Sequence, residues 1–270
     1  MPWSPAHPAR CAASVAVVAL LAVATGGCNT LGMNPSDATG SVTASAQPGA
    51  ETDPRREVDV WGERYRANPQ DPDVAIRYAR ALRATGQRNQ AAAVLEQASI
   101  RSPKNNALLG AYGRALAEVG NYDRALEVLA RAHTPEQPDW RILSAQGAVL
   151  DEMGRHDQAQ RYYASALKIA PDDPSVLSNL GLSYALSKDL PRAETTLRQA
   201  AARPGADARV RQNLALIVGL QGRFAEAERI ARAELPEAEA AANVAYLRQM
   251  LAQRGEAKGS GKRPLRSTTL

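Results

Sequence analysis

The sequence predicts an all-α fold in which short helix pairs stack side by side, and three observations predict it. Chemistry recurs every 34 residues from about residue 72 to residue 241. The chain is rich in alanine and has a single Phe (Phe224), with 4% aromatic against 44% hydrophobic residues, so its helices must meet largely through small side chains. After residue 45 no Val/Ile/Thr alternation of the kind that builds strands appears. The hydrophobic share excludes wholesale disorder, and 270 residues suffice for one or two ordinary domains.

Several columns carry the recurrence. Gly86, Gly120, Gly154 and Gly222 fall at multiples of 34, with Lys188 in the missing slot. Ala91, Ala125, Ala159, Ala193 and Ala227 form a second column without exception. A third reads Ala98, Ala132, Ala166, Ala200 and then Glu234; a fourth reads Leu95, Leu129, Tyr163, Leu197 and then Ala231. The pairs Tyr78/Ala79, Tyr112/Gly113, Gln146/Gly147, Leu180/Gly181 and Leu214/Ala215 flank a helix contact. One such column is unremarkable in an alanine-rich chain. Several columns that share one period, each with its own chemistry, mark a structural repeat.

The physics of each column agrees. Glycine ends a first helix with positive φ, and alanine lets two helix axes approach where they cross. Pro103 and Pro171 stop second helices, and Pro138 and Pro204 do so one position out of register. The pattern resembles the tetratricopeptide repeat, whose 34-residue unit pairs two antiparallel helices about a tight turn. The matching units are 72–105, 106–139, 140–173, 174–207 and 208–241. The resemblance implies a tetratricopeptide-repeat superhelix over residues 55–254, of about five helix pairs plus capping helices. Stacking supplies the core, because one pair leaves an apolar face open.

Both ends read as caps. Glu57 to Asn68 suits the closing helix of a half-repeat, with Trp61 and Tyr65 one turn apart as a packing pair. From about Ala238 to Gln253, Val244, Leu247 and Leu251 give one apolar face to lie on the last unit. Residues 255–270, rich in Gly, Ser, Lys and Arg, read as a disordered basic tail.

Residues 1–27 read as a signal peptide: Arg10 ends a charged start, and Cys11 to Ala24 form an uncharged apolar run of about fourteen residues, short for a membrane span. Two processing routes fit. Thr25-Gly26-Gly27-Cys28 resembles a bacterial lipobox, with Thr25 in place of the usual Leu, and implies a diacylglyceryl group on Cys28. Ordinary cleavage after Ala22-Val23-Ala24 is the alternative, and it leaves Cys28 a lone thiol without a disulfide partner. Lipidation explains that single cysteine better. Asn29 rather than Asp after the cysteine resembles the sorting signal for the outer membrane; a soluble periplasmic protein is the alternative. Residues 28–54, dominated by Asn, Ser, Thr, Gly, Ala and Pro, read as a flexible tether with a reach on the order of 30 Å.

No catalytic constellation emerges. His7 falls in the signal peptide, His156 takes a packing slot filled by Tyr122, Leu190 and Phe224 in sister units, and His133 stands at a helix end where exposure is expected. Without cysteines beyond residue 28 a zinc site lacks ligands. Asp151/Glu152 and Asp172/Asp173 are neighbours in sequence and so do not face each other on a helix. No phosphate loop or serine-nucleophile motif is present. The reading is a non-enzyme without metal or cofactor. Nucleic acid is excluded as a partner too, because the net charge of +5 is spread through the chain rather than gathered into a track.

Binding to protein remains. In a superhelix of this family the first helices line a concave groove, where Arg80, Arg114, Asn179, Arg209 and Asn213 are expected to be exposed and to contact a partner. The two asparagines share one slot, where amides can grip an extended peptide, although asparagine is common in that slot of any such repeat. Lys and Asn are not placed for the carboxylate clamp of chaperone-associated repeats, which disfavours a C-terminal Glu-Glu-Val-Asp ligand. The lipoprotein-like start, the tether, and the stretches Val210-Arg211-Gln212-Asn213-Leu214-Ala215-Leu216 and Ala241-Ala242-Asn243-Val244-Ala245-Tyr246-Leu247 resemble the TadD family of Flp (Tad) pilus assembly proteins. That resemblance implies an outer-membrane lipoprotein that helps a pilus secretin assemble or localise. A periplasmic adaptor for cell-wall enzymes or outer-membrane assembly would use the same groove.

Overall fold

A carboxylate or amide stands one residue ahead of each unit: Asp71, Asn105, Asp139, Asp173 and Asp207. In the computed structural model, which describes residues 53–260 (side chains to 253), each caps a helix. Asp71 accepts from the Asp73 N–H at 2.9 Å and Asn105 from the Leu108 N–H at 2.9 Å, meeting donors that the helix ladder leaves open. The capped helices are α2 (Pro72–Ala84), α4 (Asn106–Glu118), α6 (Trp140–Glu152), α8 (Pro174–Leu186) and α10 (Ala208–Leu220). Their partners are α3 (Arg88–Arg101), α5 (Tyr122–Ala130), α7 (His156–Ile169), α9 (Leu190–Ala201) and α11 (Phe224–Ala231). First helices start 34 residues apart, and so do second helices, so the predicted units coincide with the observed ones. No strand occurs among the described residues.

Within each unit the turn closes in the same way. Gly86 has φ 79°, its N–H donates to the Arg83 carbonyl at 3.0 Å, and the Gln87 N–H donates to the Leu82 carbonyl at 2.8 Å. That doubly bonded left-handed cap recurs at Gly120, Gly154 and Gly222. Lys188 adopts it too, with φ 69°, the one non-glycine residue with positive φ among those described.

The alanine column marks the crossing. Ala91, Ala125, Ala159, Ala193 and Ala227 are each 0% exposed. Opposite them the first helix comes close: a Cβ at Gly113 would lie 2.5 Å from Leu129 Cγ, and one at Gly147 2.7 Å from Tyr163 Cε1. Neighbouring first helices also touch one another, α2 to α4 and so on to α12 (Glu237–Ser260), whereas successive second helices do not. The stack therefore curves with its first helices on the inner side.

The caps depart from expectation in detail. Helix α1 (Pro54–Ala67) packs on α2, but Trp61 does not pair with Tyr65. Tyr65 stacks on Tyr78, with ring centroids 5.6 Å apart, while Trp61 lies between the Arg64 and Arg77 guanidinium groups at 4.5 and 5.1 Å. Gly62 permits this, since a Cβ there would already press on the Tyr78 ring at 3.3 Å. At the other end Val244 is buried as predicted, and Leu247 fills the space above Gly219. Helix α12 runs on to Ser260, because no proline interrupts it; residues 255–260, expected in the tail, are helical. The signal peptide, Cys28, nearly all of the tether and residues 261–270 lie outside the described residues.

Candidate docking surface

Each first helix buries the residues that face its partner and its neighbours. In α2 those are Ala75, Ala79 and Leu82, which leaves Arg77, Arg80 and Arg83 on the opposite side, toward the concavity. The same slots in later units build one continuous inner surface. All five residues singled out in the sequence lie on it, but in two different states.

Arg80 and Arg114 are exposed and have no carboxylate partner among the described residues. Arg83, between them, is held by Glu118, with Nε 2.7 Å from the carboxylate. Although Arg114 reaches solvent, desolvation of its guanidinium and then the nearby Arg83 cation push its pKa below the ordinary value, while Asp139 and Glu118 pull the other way. Arg209 is also exposed, yet Asp207 lies 3.0 Å away and neutralises it.

Asn179 and Asn213 are half-buried rather than exposed, which corrects the expectation. Asn179 Nδ2 donates to Ser144 Oγ at 3.2 Å, and Asn213 Nδ2 donates to Ser178 Oγ at 3.1 Å. Each amide thus stitches its first helix to the preceding one. Neither side-chain oxygen accepts a hydrogen bond among the described residues, so each retains an acceptor toward the groove.

A buried polar cluster went unseen in the sequence. Asp151, whose side chain is 9% exposed, accepts from Ser183 Oγ at 2.8 Å and from the Tyr163 hydroxyl at 3.1 Å, and lies 2.9 Å from His156 Nδ1. Burial, then the Asp151 carboxylate, raises the Tyr163 phenol well above its usual range. Asp, His and Ser together invite comparison with a hydrolytic triad, but the order is wrong. Ser183 is fully buried and donates to the carboxylate, not to the imidazole, so no base faces a reachable hydroxyl. The cluster ties α6, α7 and α8 together. His133 is half-buried as well, with Nε2 3.3 Å from Gln146 Oε1. Among the described residues no group of acidic, His or Cys side chains is arranged to hold a metal, and no helix is long and apolar enough to cross a membrane.

Comparison with known proteins agrees with this architecture. Tetratricopeptide-repeat family descriptions match residues 84–147 and 152–217 and, separately, 208–233. Among solved structures the chain is similar to PilW, described as a widely conserved type IV pilus biogenesis factor: 18% identity, TM-score 0.61, covering 71% of this chain and 90% of that one. A tetratricopeptide-repeat protein from Parabacteroides merdae gives 14% identity and TM-score 0.63 over 72% of this chain and 77% of its own. A thermophilic repeat protein of Thermus thermophilus gives 22% identity and TM-score 0.53, with 60% and 88% covered. At such identities the likeness is one of fold. No curated protein matches the chain.

Proposed function

This chain is a tetratricopeptide-repeat protein, and on that premise we propose that it is a non-enzymatic scaffold lipoprotein of Flp/Tad pilus assembly. A lipid on Cys28 holds it at the periplasmic side of the outer membrane, and its inner surface engages the pilus secretin or another assembly component. Tetratricopeptide-repeat domains mediate protein–protein interactions, and the observation that carries the scaffold reading is the uninterrupted inner surface from α2 to α12. The pilus assignment is supported by the resemblance of residues 210–216 and 241–247 to the TadD family. PilW, a pilus biogenesis factor of like fold, is in keeping with it.

The test pairs localisation with assembly. Cys28→Ser should abolish labelling by a fatty-acid analogue and release the protein into the soluble periplasm, since one acylated residue carries the attachment. In cells lacking the protein, secretin multimers should fall and recover with the wild-type gene. An unlabelled wild-type chain contradicts the anchor; unchanged secretin multimers contradict the pilus role.

A further inference from the structure

The inner surface changes character along its length. At the α2–α4 end stand four arginines (Arg77, Arg80, Arg83 and Arg114) against three carboxylates, Asp73, Glu118 and, near Arg114, Asp139. One of those carboxylates is already spent on Arg83. Arg114 folds back over Gly110, where a Cβ would lie 3.6 Å from its Nη1, so two unpaired cations stand side by side on α2 and α4. The middle of the surface is mixed, with Arg141 and Glu152.

Toward the C-terminal end the slot that holds Arg80 and Arg114 turns apolar. It becomes Leu182, Leu216 and Met250, 34 residues apart. Met250 is 41% exposed and Tyr246, one turn before it, 49% exposed; Leu186 joins them at 37%. These are three of the six large hydrophobic residues that stand exposed among the described residues. Arg209, which stands at this end, is paired with Asp207 at 3.0 Å. On the same helices as Leu182 and Leu216, the unbonded oxygens of Asn179 and Asn213 are placed to accept backbone N–H groups of an extended chain.

We infer that the groove takes an extended polypeptide segment of the partner that is acidic at one end and aliphatic or aromatic at the other. The acidic end lies on Arg80 and Arg114, and the apolar end on Leu182, Leu216, Tyr246 and Met250. This rests on the reading of the inner surface as the docking face and adds the chemistry and direction of what it holds. Opposite charge steers the segment and fixes its register, while the apolar end supplies the burial. Packed helices lie about 10 Å apart, so the five steps from α2 to α12 span roughly 40–50 Å, or about a dozen extended residues.

The probe is a random peptide library of about sixteen residues per member, long enough for that span, selected on the immobilised full chain. Recovered peptides should carry Asp or Glu at one end and Leu, Ile, Phe or Met at the other, in one fixed order. Arg80→Glu/Arg114→Glu should weaken them at least tenfold by fluorescence anisotropy, and Tyr246→Ser/Met250→Ser should do so through the other end. All four side chains are exposed, and circular dichroism melts should be unchanged. Peptides that bind equally to both variants would place docking off the inner surface and overturn the underlying reading too. Peptides weakened by either variant but without an acidic-to-apolar order overturn the polarity alone. Failure to recover peptides above a blank support also overturns the proposal.

Discussion

Units two and three have the same crossing and fill it differently. In unit two the helices meet at Gly113 and Leu129, a purely aliphatic contact. In unit three they meet at Gly147 and Tyr163, and the larger ring brings a hydroxyl into a site that is 2% exposed. A buried hydroxyl without a partner is costly, so the chain supplies Asp151, and Ser183 and His156 then help to satisfy that carboxylate. The repeat dictates backbone geometry at each crossing. A single aperiodic side chain there obliges others to change with it.

The largest expected effect comes from removing the hub. Asp151→Ala leaves the Tyr163 and Ser183 hydroxyls unsatisfied in the core and should cost roughly 2–4 kcal/mol in denaturant unfolding. Adding Tyr163→Leu and Ser183→Ala, which restores the unit-two arrangement, should recover most of that loss. If the triple variant is no more stable than Asp151→Ala, the cluster is not a compensation for Tyr163.

Ala159→Leu overfills the same crossing from the other helix and should lower stability by roughly 1–3 kcal/mol. The loss should spread into neighbouring units, because they share their faces. Thermal melts followed by circular dichroism check it; an unchanged midpoint would mean that the crossing tolerates bulk.

The stitches between units contribute less each. Asn179→Ala and Asn213→Ala should each cost about 0.5–1.5 kcal/mol of stability, as a typical net hydrogen bond does. Matched losses from Ser144→Ala and Ser178→Ala, non-additive with the asparagine changes in double-mutant cycles, would show that the measured energy is that of the pair. Full additivity would show that these contacts carry none.

The smallest change is a gain. Lys188→Gly restores the turn column at a left-handed residue and should stabilise by about 0.5–1 kcal/mol in the same unfolding assay. A loss instead would mean that the lysine side chain does more than tolerate its backbone.

The repeat, its units and its turn were legible because a period of 34 residues repeats each local cause five times. The capping column from Asp71 to Asp207 is equally periodic. Asp151, Tyr163 and Ser183 were harder, because each is an exception in its own column. Asp151 stands where sister units carry Arg83, Ala117, Ala185 and Gly219, and Ser183 where they carry Ala81, Ala115, Val149 and Ile217. Three polar exceptions in adjacent units were the available signal, but only the fold brings them together. Asn179 and Asn213 sat on the predicted surface, yet their serine partners lie 35 residues back on another helix, beyond what local spacing reveals.

Site-specific photo-crosslinking in cells tests the central claim, that the inner surface is where this protein works. A photoreactive residue at Leu182 or Leu216 lies on that surface; one at Ile100 or Ile169, exposed residues of second helices, lies off it. The inner positions should give a discrete adduct with a partner, lost when Arg80→Glu/Arg114→Glu is added, and the outer positions none. Adducts at Ile100 and Ile169 without any at Leu182 and Leu216 would contradict the claim.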